Sequence, residues 1–213
     1  MPRAIGCAGV PAPGKCRPLR NPGRLASGSV LAKGVSEIVF KSDNKIGTMM
    51  RFNKASPITH TDDSKEHNIG TCAALSSIWL KNMFTYIKPG VTKPNQGEAA
   101  MRFAKNWMTV TDVDAFNRKN MTDSGLSVGT RYDYNTLTEM FEDIAHVGGY
   151  YYIDTQQGHI VAAVKRGTDC FFYDSNVALY QFKWTDFAKK ATQKLVAEGF
   201  GDDYCMIYEV TQS

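Results

Sequence analysis

A chain of 213 residues, 43% of them hydrophobic, is long enough to bury a core and too apolar for wholesale disorder. Its net charge of +4 implies no polyanion-binding field, so nucleic acid is not an expected partner. No apolar run approaches the roughly 20 residues of a membrane helix, and the N-terminus lacks the apolar segment of a cleaved signal peptide.

Residues 1–34 are rich in Pro, Gly, Arg and Lys without apolar periodicity, and read as a flexible basic tail. Residues 35–213 read as one folded domain. Residues 36–52 have room for two short strands, and "SPITHTDDSKEHN" is a polar loop. Leu75, Ile78, Trp79, Met83 and Ile87 then fall at helical spacing, and Pro89-Gly90 stops the run. A second helix is expected over Gly97–Met108, and residues 109–131 read as loop-rich. "NTLTEMFEDIAHVGG" predicts a third helix, with Asn135 as N-cap and Gly148 as stop. Beyond it, "YYYID", "HIVAAVKR" and "DCFFYDS" are short β-prone runs broken by "TQQG" and "GT", the pattern of an antiparallel meander. "TDFAKKATQKLVAEG" returns to helix, with Asp186 early and lysines late as the macrodipole prefers, and "YCMIYEV" closes with a strand. The layout is α+β: helices first, then an antiparallel sheet, with one helix inside the sheet half.

The five cysteines, Cys7, Cys16, Cys72, Cys170 and Cys205, are sparse and irregular. They form neither a disulfide framework nor a CxxC zinc pair and read as reduced thiols, which suits work in a cytosol. Cys170 and Cys205 sit inside apolar strands and read as core. Cys72 differs, because "GTCAALSSIWL" places it where a helix begins. There the helix dipole favours a thiolate, and free N–H groups face outward as oxyanion donors. A thiol nucleophile also needs an imidazole and a polar group to orient it. In "GHIVAAVKRGTDCFFYDSN", His159 opens one strand and Asp174 closes the next. Pairing through a turn at Gly167-Thr168 puts Ile160 roughly opposite Asp174, which brings His159 and Asp174 to one end of neighbouring strands. His60, His67 and His146 read as ordinary polar residues. A metal pair of His60 and His67 has no further ligand spacing to support it, and no metal or cofactor is expected.

At these residues the sequence resembles the YopT/AvrPphB-type bacterial effector cysteine proteases. The resemblance lies in Gly-x-Cys-x-x-Leu-x-x-x-Trp-Leu, in the Gly-His strand and in "FYDSN", three short islands within residues 66–200. It implies a papain-like fold, with Cys72 as nucleophile, His159 as base and Asp174 as orienting acid. Asn68 is favoured for the oxyanion hole, with His67 as the alternative and the Cys72 backbone N–H as second donor. It further implies a protein secreted without a cleaved signal peptide that cuts a specific protein in the cytosol of a target cell. The basic tail would suit a membrane-associated substrate. Two rivals stay open. One is a Cys–His deamidase, or a peptidoglycan amidase whose Asp-Cys-Ser-Gly signature is missing here. The other is a non-enzymatic interaction module with a degenerate site.

Overall fold

The computed structural model describes residues 38–41, 71–85, 94–107, 109–110 and 112–213. The basic tail, the segment after Lys41, the polar loop with His60, His67 and Asn68, and Ile87 with the Pro89-Gly90 stop lie outside the described residues. In chain order the elements are β1 (Ile38–Lys41), α1 (Cys72–Thr85), α2 (Gln96–Trp107), α3 (Val113–Asp123), β2 (Leu126–Tyr134), α4 (Leu137–Val147), β3 (Gly149–Asp154), β4 (Ile160–Arg166), β5 (Asp169–Asp174), β6 (Ala178–Lys183), α5 (Trp184–Ala197) and β7 (Cys205–Gln212).

Among the described residues the strands form one seven-stranded sheet in the order β1-β6-β5-β4-β3-β7-β2, with every neighbouring pair antiparallel. Strand side chains alternate between its two faces. Tyr152, Ala162, Val164, Phe171, Tyr173 and Tyr208 pack under α1, α2 and α3. Tyr151, Ile153, Val161, Ala163, Cys170, Phe172 and Ile207 pack under α4 and α5. The sheet is therefore the middle of three layers. Burial on both faces explains why β4 and β5 read as nearly continuous apolar runs rather than alternating ones.

Three expectations need correction. Residues 109–131 are not loop-rich: they hold α3 and most of β2. Asp112 caps α3 by accepting the Ala115 N–H at 2.7 Å, but the buried face of the helix includes Asn117 and Asn120, which masks its apolar period. Asn120 is satisfied inside by Asn106 and the Phe116 carbonyl. The cap of α4 is Thr136, not Asn135: its hydroxyl accepts the Glu139 N–H at 3.1 Å, within a Thr-x-x-Glu sequence. Finally, the β4–β5 register pairs Val161, not Ile160, with Asp174. Arg166 and Asp169 close a two-residue turn whose first residue, Gly167, has φ +59°, a conformation that glycine adopts without steric cost.

Candidate active site

Cys72 is the first residue of α1, and the first helical bond runs from the Leu75 N–H to the Thr71 carbonyl at 2.9 Å. A residue at that position directs its N–H toward the helix end rather than the turn behind it. One turn on, the Ser76 hydroxyl donates to the Ile160 carbonyl at 3.3 Å, tying α1 to the residue after His159. Trp79, fully buried, stacks on Tyr173 of β5 with centroids 5.2 Å apart, which fixes the same helix over the sheet. Cys72 itself is 5% exposed, whereas Cys170 and Cys205 are fully buried and both thiols are pushed up to about 12 by burial first.

His159 stands just ahead of β4. Its carbonyl accepts from the Thr155 N–H at 3.1 Å and the Thr155 hydroxyl at 2.9 Å, which closes the loop between β3 and β4. The imidazole Nε2 lies 3.0 Å from Asp174 Oδ1, with both side chains buried. Asp174 ends β5, and its Oδ1 also accepts the Asn176 N–H at 2.8 Å. With Nε2 engaged by Asp174, Nδ1 is the nitrogen left for Cys72, which hydrogen-bonds the ring. The Asn176 amide approaches Nδ1 at 3.5 Å. The Phe200 ring stacks on the imidazole at 4.9 Å, nearly parallel to it. Burial alone would lower the His159 pKa. The hydrogen bonds and negative charge of Asp174 and Cys72 outweigh it, and the ring is pushed up to about 10.

Cys72, His159 and Asp174, named from sequence, are thus brought together. Asn68 and His67 lie outside the described residues. Asp154 and Asp169 point elsewhere: Asp154 accepts from Asn117 Nδ2 at 2.8 Å, and Asp169 sits at the far end of β5. Behind the thiol, the buried Tyr152 hydroxyl donates to Asn117 Oδ1 at 3.1 Å. Among the described residues the grouping with the composition to hold a metal is His159, Asp174 and Glu198, whose ligand atoms lie within 4.8 Å of one another. Within it the imidazole and Asp174 share a hydrogen bond at 3.0 Å. Sequence reasoning missed Glu198 and Phe200. Both lie beyond the end of α5, and only the packing of that helix end reveals where they go.

A helix-tip thiol, an imidazole presented by a sheet and a carboxylate behind it make up the arrangement of papain-like cysteine proteases. No protein-family model and no curated protein matches the sequence. Among solved structures, the fold matches the Pseudomonas avirulence protein AvrPphB with a TM-score of 0.52 and 14% identity, over 66% of this chain and 91% of that one. The fold is therefore papain-like α+β, of the AvrPphB type, as the three sequence islands led one to expect. No described helix is long and apolar enough to cross a membrane.

Proposed function

We propose that the chain is a thiol protease that cleaves a specific protein of a target cell. The observation that supports it is the Cys72–His159–Asp174 array, with the thiol at a helix tip and the imidazole joined to a buried carboxylate. In this reading His159 Nδ1 holds the Cys72 proton before substrate arrives, and the thiolate of that ion pair attacks the scissile carbonyl carbon while the π electrons move to oxygen. The Cys72 N–H and Asn68 hold that oxyanion. As the C–N bond breaks, His159 returns the proton to the leaving amine, which leaves a thioester. Water, deprotonated by His159, then attacks the thioester and the C–S bond breaks, restoring the thiolate–imidazolium pair. Asp174 keeps the ring in the Nε2–H tautomer and steadies the imidazolium. Residues 35–213 form the catalytic domain and residues 1–34 a basic tail. By likeness to the avirulence protein, the chain is a secreted effector that acts in a host cytosol.

The test compares target-cell lysate treated with the full chain and with Cys72→Ala, reading new protein termini. Termini that appear only with the intact thiol are the expected result. Intact proteins in which an amide has become an acid would replace this reading with the deamidase one. No thiol-dependent change at all would favour a binding module.

A further inference from the structure

We propose that Glu198 is a fourth member of the site, a positioning residue whose neutral carboxyl donates a hydrogen bond to Asp174 Oδ2 and whose ionisation sets the alkaline limit of the His159 proton relay. The consequence rests on the thiol-protease reading, but the geometry does not.

Glu198 is the C-cap of α5. The Gly199 N–H bonds the Val196 carbonyl at 3.0 Å, and the Phe200 N–H bonds Leu195 at 3.1 Å, with Gly199 at φ +94°. This paired pattern is a Schellman motif, and it needs a glycine-like residue at its centre. It turns the chain sharply, so that Glu198 and Phe200 arrive together at the His159 end of the sheet. The segment is clasped to the His159 loop by Gln157, whose amide donates to the Gly201 carbonyl at 3.2 Å and accepts the Gly201 N–H at 2.9 Å. Phe200 covers the imidazole face, and the Glu198 carboxyl reaches within 4.8 Å of both His159 and Asp174.

Asp174 supplies the second observation. It is fully buried and shares the α5 side of the sheet with Cys170 and Phe172. Its Oδ1 serves His159 and the Asn176 N–H, yet its buried Oδ2 makes no hydrogen bond at the distances of this structure. An ionised carboxylate oxygen left bare in the interior is costly. The Glu198 carboxyl lies within 4.8 Å and can satisfy it only when protonated. Its surroundings favour that form. Partial burial and then the Asp174 charge push the carboxyl up to about 8, with His159 opposing. The C-terminal helix dipole acts in the same direction.

Among the described residues, three other titratable groups surround the pair. Tyr180 of β6 feels both Glu198 and Asp174. Lys194 on the same helix places its Nζ over the Tyr180 ring at 4.9 Å, and Cys72 lies beyond His159. When Glu198 ionises, Asp174 loses its donor and a second negative charge sits behind the imidazolium. The ring then holds its proton more tightly and is a poorer acid toward a leaving group.

Two measurements on the full chain test this. The first follows the Glu198 carboxyl carbon and the His159 ring nitrogens by NMR against pH, without substrate. Glu198 is expected to titrate near 8 and to place an inflection there in the His159 signals, and Glu198→Gln should erase that inflection. An ordinary glutamate titration in the intact protein overturns the proposal, and so does an inflection that survives Glu198→Gln. The second follows inactivation by an epoxide of the E-64 type. The Cys72 thiolate opens the ring, the C–O bond breaks, and His159 protonates the alkoxide. Glu198→Gln should move the alkaline limb upward, giving roughly tenfold faster inactivation at about pH 9, and Glu198→Ala should slow it at neutral pH. Unchanged limbs overturn the proposal. If the epoxide never labels Cys72 while the NMR inflection behaves as expected, the protease reading falls and the Glu198–Asp174 pair stands.

Discussion

At the residue scale, the environments of the thiols predict their order of reaction. Cys170 and Cys205 are fully buried and raised to about 12, so they stay silent in the native state. Cys72 sits at a helix tip against the His159 ring, which is pushed up to about 10. With iodoacetamide at about pH 6, where ordinary thiols are protonated, Cys72 is expected to react first and His159→Ala to slow it. Faster labelling of Cys7 or Cys16 would remove the case for an activated nucleophile. The same logic ranks the acids. Asp174→Asn keeps a polar group beside His159 but loses the charge that holds its proton. Turnover should fall, though by less than the roughly 10⁴-fold seen for the orienting acid of a serine protease, because a cysteine enzyme starts nearer an ion pair. Asp186→Asn and Asp169→Asn are the controls. Asp186 lies on α5 beside Lys190 at 3.7 Å, and Asp169 is at the other end of β5. A dead Asp169→Asn beside an active Asp174→Asn would reassign the third position.

At the element scale, the cap of α4 separates two adjacent residues. Thr136 holds the Glu139 N–H, whereas Asn135 lies one position too early. Thr136→Ala should cost about 1 kcal/mol in chemical denaturation and Asn135→Ala much less. Equal costs would show that the Thr136 hydroxyl contributes nothing as a cap. This pair also shows where the sequence was legible. Elements with a clean apolar period, such as α4, or a continuous apolar run, such as α1 and the β3–β5 meander, could be read to within a few residues. The site came with them, because a two-residue turn carries His159 and Asp174 to one sheet end even with the register off by one. Helix α3 stayed hidden because Asn117 and Asn120 face inward and find partners that only the tertiary structure supplies. Glu198 stayed hidden for a related reason. A glutamate at a helix C-terminus looks like a local misfit to the dipole, and its purpose depends on which sheet edge that helix end meets.

At the scale of the whole molecule, the site should imprint itself on stability as a function of pH. His159 is raised from its ordinary 6.5 to about 10 on folding. The native state then binds its proton more tightly than the unfolded chain does. Such a group stabilises fully below its unfolded pKa, and that stabilisation is lost as pH rises from 6.5 through about 10. Glu198, raised from 4.5 to about 8, acts with the same sign over a lower window. The buried tyrosines and the Cys170 and Cys205 thiols are raised as well, so they add losses only toward more alkaline pH. Asp114 runs the other way: its lowered carboxyl stabilises above the ordinary aspartate range and is lost only in acid. The Tm of the intact chain should therefore be higher near pH 6 than near pH 9. Asp174→Asn should flatten that decline, because it removes the charge that lifts His159 and also the one that lifts Glu198. Glu198→Gln should flatten only the lower part. A Tm that holds level or rises between those two pH values would mean that His159 is neutral in the folded protein, and the ion-pair starting state of the proposed reaction would go with it.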